Sequence, residues 1–232
     1  MKAIDNAIPL LNNGYQVIPV LSGGSGAPLV SDHLDPGTEF TEIEAKEWLD
    51  KYSGASVALV AGKANVYALD FDIDDEKLAG QLYRIIKKRW KTIPIRKCNE
   101  PRFAIIFKAG EDLRKYSSAH SKCFKTPDGL MNQIELTGNN IITLFGQHRK
   151  TGNKYRWNKY TPVEVRADEL PELDLLDVKK IFKFYETRVP ESHKMVTRST
   201  FSKPKVDSSF ENIRMSRRYS REEMIDILKH AK

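Results

Sequence analysis

The sequence predicts an α+β protein built on an antiparallel sheet, with an α/β segment in front and a helical tail behind. Three observations predict it. The middle of the 232-residue chain holds several short β-branched or alternating runs. Two of them, Met131–Thr137 and Asn140–Phe145, are joined through Gly138-Asn139, a hairpin signal. Helical periodicity dominates the beginning and the end of the chain.

Taken in order, residues 3–13 place Ile4, Ala7, Ile8 and Leu11 on one helical stripe, stopped by Gly14. Residues 15–20 alternate and read as a strand. Residues 22–28 (SGGSGAP) form a glycine-rich loop without the lysine that a phosphate loop requires. A second helix covers 41–52, where Thr41 and Glu44 form a capping box and Ile43, Ala45, Trp48 and Leu49 give an apolar face. Residues 56–60 and 66–72 read as two strands around an Ala61-Gly62 turn. Residues 77–90 are helical, with Leu78, Leu82, Ile85, Ile86 and Trp90 inward and Lys87, Lys88 and Arg89 outward. A strand is expected at 103–107, irregular chain at 111–129, the hairpin above, and a short strand at 154–157. Residues 173–187 are helical, residues 188–210 are Ser/Thr/Lys/Pro-rich and read as a flexible linker, and 220–231 starts a last helix behind a Ser-Arg-Glu-Glu cap. The expected division is therefore a catalytic unit at 1–175, a helix and linker at 176–210, and the start of a helical segment at 211–232.

Composition narrows the function. With 40% hydrophobic and 30% charged residues, the chain is neither collagen-like, mucin-like nor wholly disordered. No apolar run approaches the length that spans a bilayer, the N-terminus lacks a signal-peptide pattern, and two cysteines make no disulfide scaffold, so a cytoplasmic protein with no membrane partner is expected. The net charge of +7 is unevenly spread: residues 1–60 hold 3 basic and 8 acidic side chains, and residues 61–110 hold 11 and 6. A basic body behind an acidic front suits a polyanionic partner, and equally a solvated Lys-rich surface.

The sharpest local feature is Leu69-Asp70-Phe71-Asp72-Ile73-Asp74-Asp75. Strand side chains alternate, so Asp70 and Asp72 leave one face and Leu69, Phe71 and Ile73 the other. Neighbouring carboxylates repel unless a cation lies between them, and magnesium-type ions take such oxygen ligands together with substrate phosphates. Glu135, flanked by Ile134 and Leu136, is a third acid in the same setting. Three such acids on a sheet suit two-metal nucleotidyl transfer. Aspartates also end strands, and Asp74 and Asp75 are read as doing only that.

Further segments arrive in a recognisable order. Gly14-Tyr15-Gln16-Val17-Ile18-Pro19-Val20 opens the chain, Trp48 lies in the second helix, and Val57-Ala58-Leu59-Val60-Ala61-Gly62 follows. Then come Leu69-Asp70-Phe71-Asp72, Ile134-Glu135, the segment Gly146-Gln147-His148-Arg149-Lys150-Thr151-Gly152-Asn153-Lys154-Tyr155-Arg156-Trp157, and Pro171. This set, over about residues 1–175, resembles the prim-pol (bifunctional DNA primase/polymerase) branch of the archaeo-eukaryotic primase superfamily, found in phage, plasmid and mobile-element replication proteins. The resemblance implies a primase-like core with an RRM-like antiparallel sheet and a nucleotidyltransferase acting as DNA primase or polymerase. It implies two Mg²⁺ or Mn²⁺ ions on Asp70, Asp72 and Glu135. Its expected partners are a single-stranded DNA template, nucleoside triphosphates and a helicase domain in cis or in trans.

Two departures stand out. Where relatives have a histidine to meet the triphosphate, this chain has Arg102, whose guanidinium grips phosphate oxygens bidentately. Gly26 stands where many relatives have lysine. His148 is a nucleotide contact or a turn histidine, and Lys63, Arg96 and Lys97 are further candidates for charge around the triphosphate. Cys98, His120 and Cys123 offer three zinc ligands where a structural site takes four, so zinc is not expected. Tyr155, Trp157 and Tyr160 are base-stacking candidates or sheet-edge core. Basic residues within 84–97 and 149–159 are expected to hold the template backbone. Two other classes stay open: a metal-dependent nuclease using the same acids, and a DNA-binding module that has lost its chemistry.

Overall fold

The structure, a computed structural model, describes residues 2–23, 26–148 and 150–203. A 3₁₀ turn at Ile4–Asn6 leads into α1 (Ala7–Asn12), then β1 (Val17–Val20) and α2 (Glu42–Lys51). Next come β2 (Ser56–Val60), β3 (Val66–Asp72), α3 (Glu76–Arg89), β4 (Ile95–Lys97) and β5 (Phe103–Ala109). The chain continues through β6 (Ser118–His120), β7 (Cys123–Lys125), β8 (Met131–Thr137), β9 (Ile141–Phe145), β10 (Arg156–Trp157) and β11 (Glu172–Leu173). It closes with α4 (Leu175–Glu186), β12 (Lys194–Thr197) and β13 (Thr200–Ser202). The predicted α+β class holds.

Local rules explain the helix starts. The Thr41 hydroxyl accepts from the Glu44 backbone while the Glu44 carboxylate accepts from the Thr41 backbone, the reciprocal cap read from the sequence. Asp75 caps α3 through the Leu78 backbone, and Asp174 caps α4 through Asp177. Gly14, at φ +84°, ends α1 in a conformation that costs glycine little.

The strands form two sheets. The smaller is β1-β2-β9, antiparallel throughout. The larger runs β10-β4-β5-β3-β8-β6-β13, with β11 parallel to β5 and β7 lying between β8 and β12. Here two expectations fail. β2 and β3 do not pair around Ala61-Gly62, and β8 and β9 do not form a hairpin through Gly138-Asn139. Each short link carries the chain from one sheet to the other. The two crossings press together: a Cβ on Gly62, itself at φ +93°, would strike the Gly138 carbonyl, and one on Gly138 would strike the Tyr67 ring. A crossing this tight uses the same glycines as a hairpin, so the sequence signal was ambiguous.

Two cores hold the sheets. The N-terminal 3₁₀ turn, α1 and α2 pack Ile4, Leu10, Ala45 and Trp48 against Val17, Val57 and Leu59, and the same core takes in Val66, Ala68, Ala104 and Ile106 of the large sheet. α3 and α4 pack Leu78, Leu82, Ile86, Val178 and Phe182 against Leu69, Phe71 and Ile73. That second layer covers one face of the large sheet only. Ile85, expected inward, is 42% exposed, at the edge of the buried Leu78-Ala79-Leu82-Ile86 face.

The remaining corrections concern stretches read as irregular. Residues 111–129 contain β6 and β7, two three-residue strands too short to show a period. The linker expected from 188 is strand at 194–197 and 200–202, paired to β7 and β6. All four residues of β12 are exposed, Met195 and Val196 among them, while Phe201 of β13 packs against the second core. The helix expected at 220–231 lies outside the described residues.

Candidate active site

The register of β3 against β8 sets Asp70 directly opposite Glu135, and Asp72 opposite Gln133. Directly opposed residues share a face and sit about 5 Å apart. Leu69, Phe71 and Ile73 are buried against α3 and α4, so the three carboxylates are on the opposite face, at the end of the stretch where Ala68 and Ile106 pack into the first core. The row extends further. Arg96 on β4 is paired with Ala104, Ala104 with Asp70, and Glu135 with His120. One line across five strands therefore reads cation, small residue, acid, acid, histidine.

Ala104 is small enough for Arg96 to reach over it, placing its Nη2 3.7 Å from the Asp70 carboxylate. Arg96 is only 8% exposed, lies 4.5 Å from the Tyr155 ring centre and donates to the Thr143 carbonyl of β9. Arg102, just before β5, is gripped side-on by Asp74: Nε and Nη2 donate to the two carboxylate oxygens, each at 2.8 Å. Its remaining Nη1 donates to Asp72 at 3.2 Å. Glu135 accepts from the Gln133 amide and lies 3.7 Å from His120 Nδ1.

Charge competes with burial here. Burial pushes Asp70 up to about 6, with Asp72 and Glu135 adding repulsion, and the pull of Arg96 does not overcome it. A third of the Asp70 side chain is exposed, where it lines two cavities. Glu135 is also raised, first by burial, with His120 opposing and Asp72 adding. Among the described residues, no three His, Cys, Asp or Glu side chains are gathered tightly enough to hold a metal ion. The reason is local: Asp70 turns to Arg96, Asp72 to Arg102, and Glu135 to Gln133 and His120. As a donor set the three carboxylates fit hard divalent cations, which take oxygen ligands and would compete with these weaker partners.

His148 faces the acids from the loop after β9. Its ring lies 3.1 Å from both the Asn99 amide nitrogen and the Thr151 hydroxyl, and Thr151 donates to Asn99 Oδ1. Asp70, Asp72, Arg96, Asn99, Arg102 and His148 line a cavity of about 230 Å³, to which Lys150 also contributes. An adjoining cavity of about 480 Å³ shares Asp70, Arg96, His148 and Tyr155, and reaches Gly26, Ala27 and Pro28 of the glycine-rich loop. β9 supplies another part of its wall through Ile141, Ile142 and Thr143.

Several candidates lie elsewhere. Lys63 is near the start of β3, where its amine donates to the Asp35 and Thr38 carbonyls, and it lines a separate cavity with Gly62 and Gly138. Cys98 borders the His148 cluster, while Cys123 is buried on β7 near Glu135. Trp157 packs at 5.9 Å from Phe145 and Tyr155 lies beneath Arg96, so both serve the walls. Arg84, Lys87, Lys88 and Arg89 are on α3, behind the sheet, and do not share the acids' face. Asp74, read from the sequence only as a strand end, holds Arg102 beside the acids. Asn99 and Thr151 were overlooked, and only the folded loop brings them to His148.

No helix among the described residues is long and apolar enough to cross a membrane. No curated protein matches the chain. The family model for the bifunctional DNA primase/polymerase N-terminal domain, Prim-Pol, matches residues 7–173, a span that contains both sheets' central strands, all three acids and the His148 loop. With well over half its length matched, and with DNA primase/polymerase activity as the general property of that family, the chain belongs to the Prim-Pol family.

Proposed function

We propose that the chain is a template-directed nucleotidyltransferase that moves a nucleoside monophosphate from a triphosphate onto a 3′-hydroxyl or a second nucleotide. The observation that carries this reading is the row of Asp70 and Glu135 in direct register with Asp72 alongside, where Asp70 and Asp72 line a cavity together with Arg96, Arg102 and Lys150. Asp70, Asp72 and Glu135 would hold two Mg²⁺ or Mn²⁺ ions. Bound there, the ions would activate the attacking hydroxyl and stabilise the leaving pyrophosphate. Arg102 and His148 would hold the triphosphate, and Arg96 would stabilise the negative charge gathered at Asp70. Lys63 does not belong to this set, because its amine is spent on backbone carbonyls.

Single-stranded template would run along the basic loop containing Lys150, Lys154, Arg156 and Lys159, and its binding should weaken as salt rises. A helicase domain, in cis or in trans, and replication of a phage, plasmid or mobile element, are the setting that the resemblance supports.

One observation favours a second reading. Asp70 and Asp72 each face an arginine already, as they would in a DNA-binding module that has lost its chemistry. One assay separates the readings: purified protein with primed and unprimed template, labelled nucleotides and Mg²⁺ or Mn²⁺. Extension or de novo products support transfer, shortening of the DNA supports a nuclease, and a gel shift with neither supports the binding module.

A further inference from the structure

Arg102 has two edges to offer, and the structure divides them unequally. The Nε–Nη2 edge, the one that matches a carboxylate bidentately, is taken by Asp74 with both contacts at 2.8 Å. Asp72 receives only the single Nη1 contact at 3.2 Å. Asp74 is itself fixed. Its backbone N–H donates to Asn132 Oδ1 at 2.6 Å, Asn132 is 2% exposed, and the Asn132 carbonyl accepts from the buried Tyr185 hydroxyl at 2.7 Å. The Asp74 carboxylate thus hangs from a buried chain that runs back to α4, while Arg102 is one-third exposed and follows it.

We infer that Asp74 is a positioning residue: it holds Arg102 by its bidentate edge and so keeps that guanidinium from closing on Asp72. The inference rests on the two-metal reading above and adds to it a residue that the reading does not use. Without Asp74, the nearest carboxylate for the freed edge is Asp72. A bidentate Arg102–Asp72 pair would occupy both oxygens that a divalent ion needs. With Asp74 in place, an ion has only one hydrogen bond to displace at Asp72, and the released Nη1 then faces the triphosphate side of the cavity.

The test is Mn²⁺ binding to the full chain, read from the loss of the free-ion EPR signal, in the parent and in Asp70→Ala, Asp74→Asn, Asp74→Glu, Arg102→Ala and the Asp74→Asn/Arg102→Ala double variant. Asp74→Asn should weaken Mn²⁺ binding about tenfold, equivalent to about 1.4 kcal/mol. Asp74→Glu, which still presents two oxygens, should bind within about twofold of the parent. The decisive comparison is the double variant, which should bind as Arg102→Ala does, because no guanidinium remains to restrain.

Equal binding by parent and Asp74→Asn overturns the inference. So does a tenfold loss that persists in the Arg102→Ala background, which would make Asp74 a ligand or a simple source of negative charge. Asp70→Ala keeps the two claims apart. If it abolishes binding while Asp74→Asn changes nothing, the metal reading stands and the positioning role falls. If Mn²⁺ binds the parent and Asp70→Ala alike, both fall.

Discussion

The two sheets of this protein are built from similar apolar strands and do opposite work. In the small sheet every residue of β1 and β2 is buried, on both faces. Helices α1 and α2 close one side, and the sheet is a wall. In the large sheet α3 and α4 cover one face and the first core covers the other only as far as Ala68 and Ala104, so β3 alternates at its end between buried Phe71 and half-buried Asp70 and Asp72. β8 repeats this with Ile134 and Leu136 buried and Glu135 half-buried. The difference teaches where chemistry can sit: a strand closed on both faces has no position at which a carboxylate is tolerated, whereas a strand closed on one face has every second position free.

The sharpest way to break the comparison is to substitute on each side. Asp70→Ala should lower nucleotide incorporation by at least about 10³-fold, since metal ions supply several kcal/mol to such transition states, while the protein keeps its cooperative unfolding. Primer extension and thermal unfolding on the same preparation check both halves. Leu59→Ala, in the closed sheet, should do the reverse: it should cost about 2–5 kcal/mol in urea unfolding and leave incorporation per folded molecule near the parent value. Equal activity losses from the two would mean that the sheets are not separable in function.

A third effect belongs to the open face alone. Burial holds Asp70 at about 6, against 3.8 ordinarily, so the folded state binds this proton more tightly than the unfolded chain does. Its unfavourable contribution is therefore absent below about pH 4 and grows as pH rises to about 6, where stability has fallen by the full amount. Glu135, also raised, acts in the same direction. In metal-free protein, unfolding free energy should decline from pH 4 to 6, and Asp70→Asn should flatten that decline. An unchanged slope would show that the carboxylate is better solvated than the structure indicates. The smallest effect is expected at Lys63→Met, outside both the acids and the cavity they line: less than a twofold change in the KM for nucleotide, measured by primer extension.

Much of this was legible in advance because it was local. The period of two in 69–73, the Thr41–Glu44 cap and the apolar stripe of α3 all express forces acting within a few residues, and the structure reproduces each. What was not legible was the partner of each strand. Gly138-Asn139 reads as a hairpin turn, yet Gly138 is needed because Tyr67 and Gly62 press on it from another part of the chain. Asp74 read as a strand-ending residue because its partner, Arg102, is 28 positions away. Lys63 read as a phosphate ligand because it is a cation after a glycine, and its capture by the Asp35 and Thr38 carbonyls depends on where an intervening loop folds. The β12 and β13 segments are too short to show a period in a Ser/Thr/Lys-rich stretch, and become strands by pairing with β7 and β6.

The central claim is that Asp70, Asp72 and Glu135 close on divalent ions at the transfer site. Its most direct test is anomalous diffraction from crystals of the protein grown with Mn²⁺ and a non-hydrolysable nucleoside triphosphate. The account predicts two manganese peaks bounded by these three carboxylates, each about 2.0–2.2 Å from its oxygen ligands, with the triphosphate against Arg102 and His148. Manganese bound elsewhere, with Arg96 and Arg102 still paired to Asp70 and Asp72 beneath an ordered nucleotide, would contradict it.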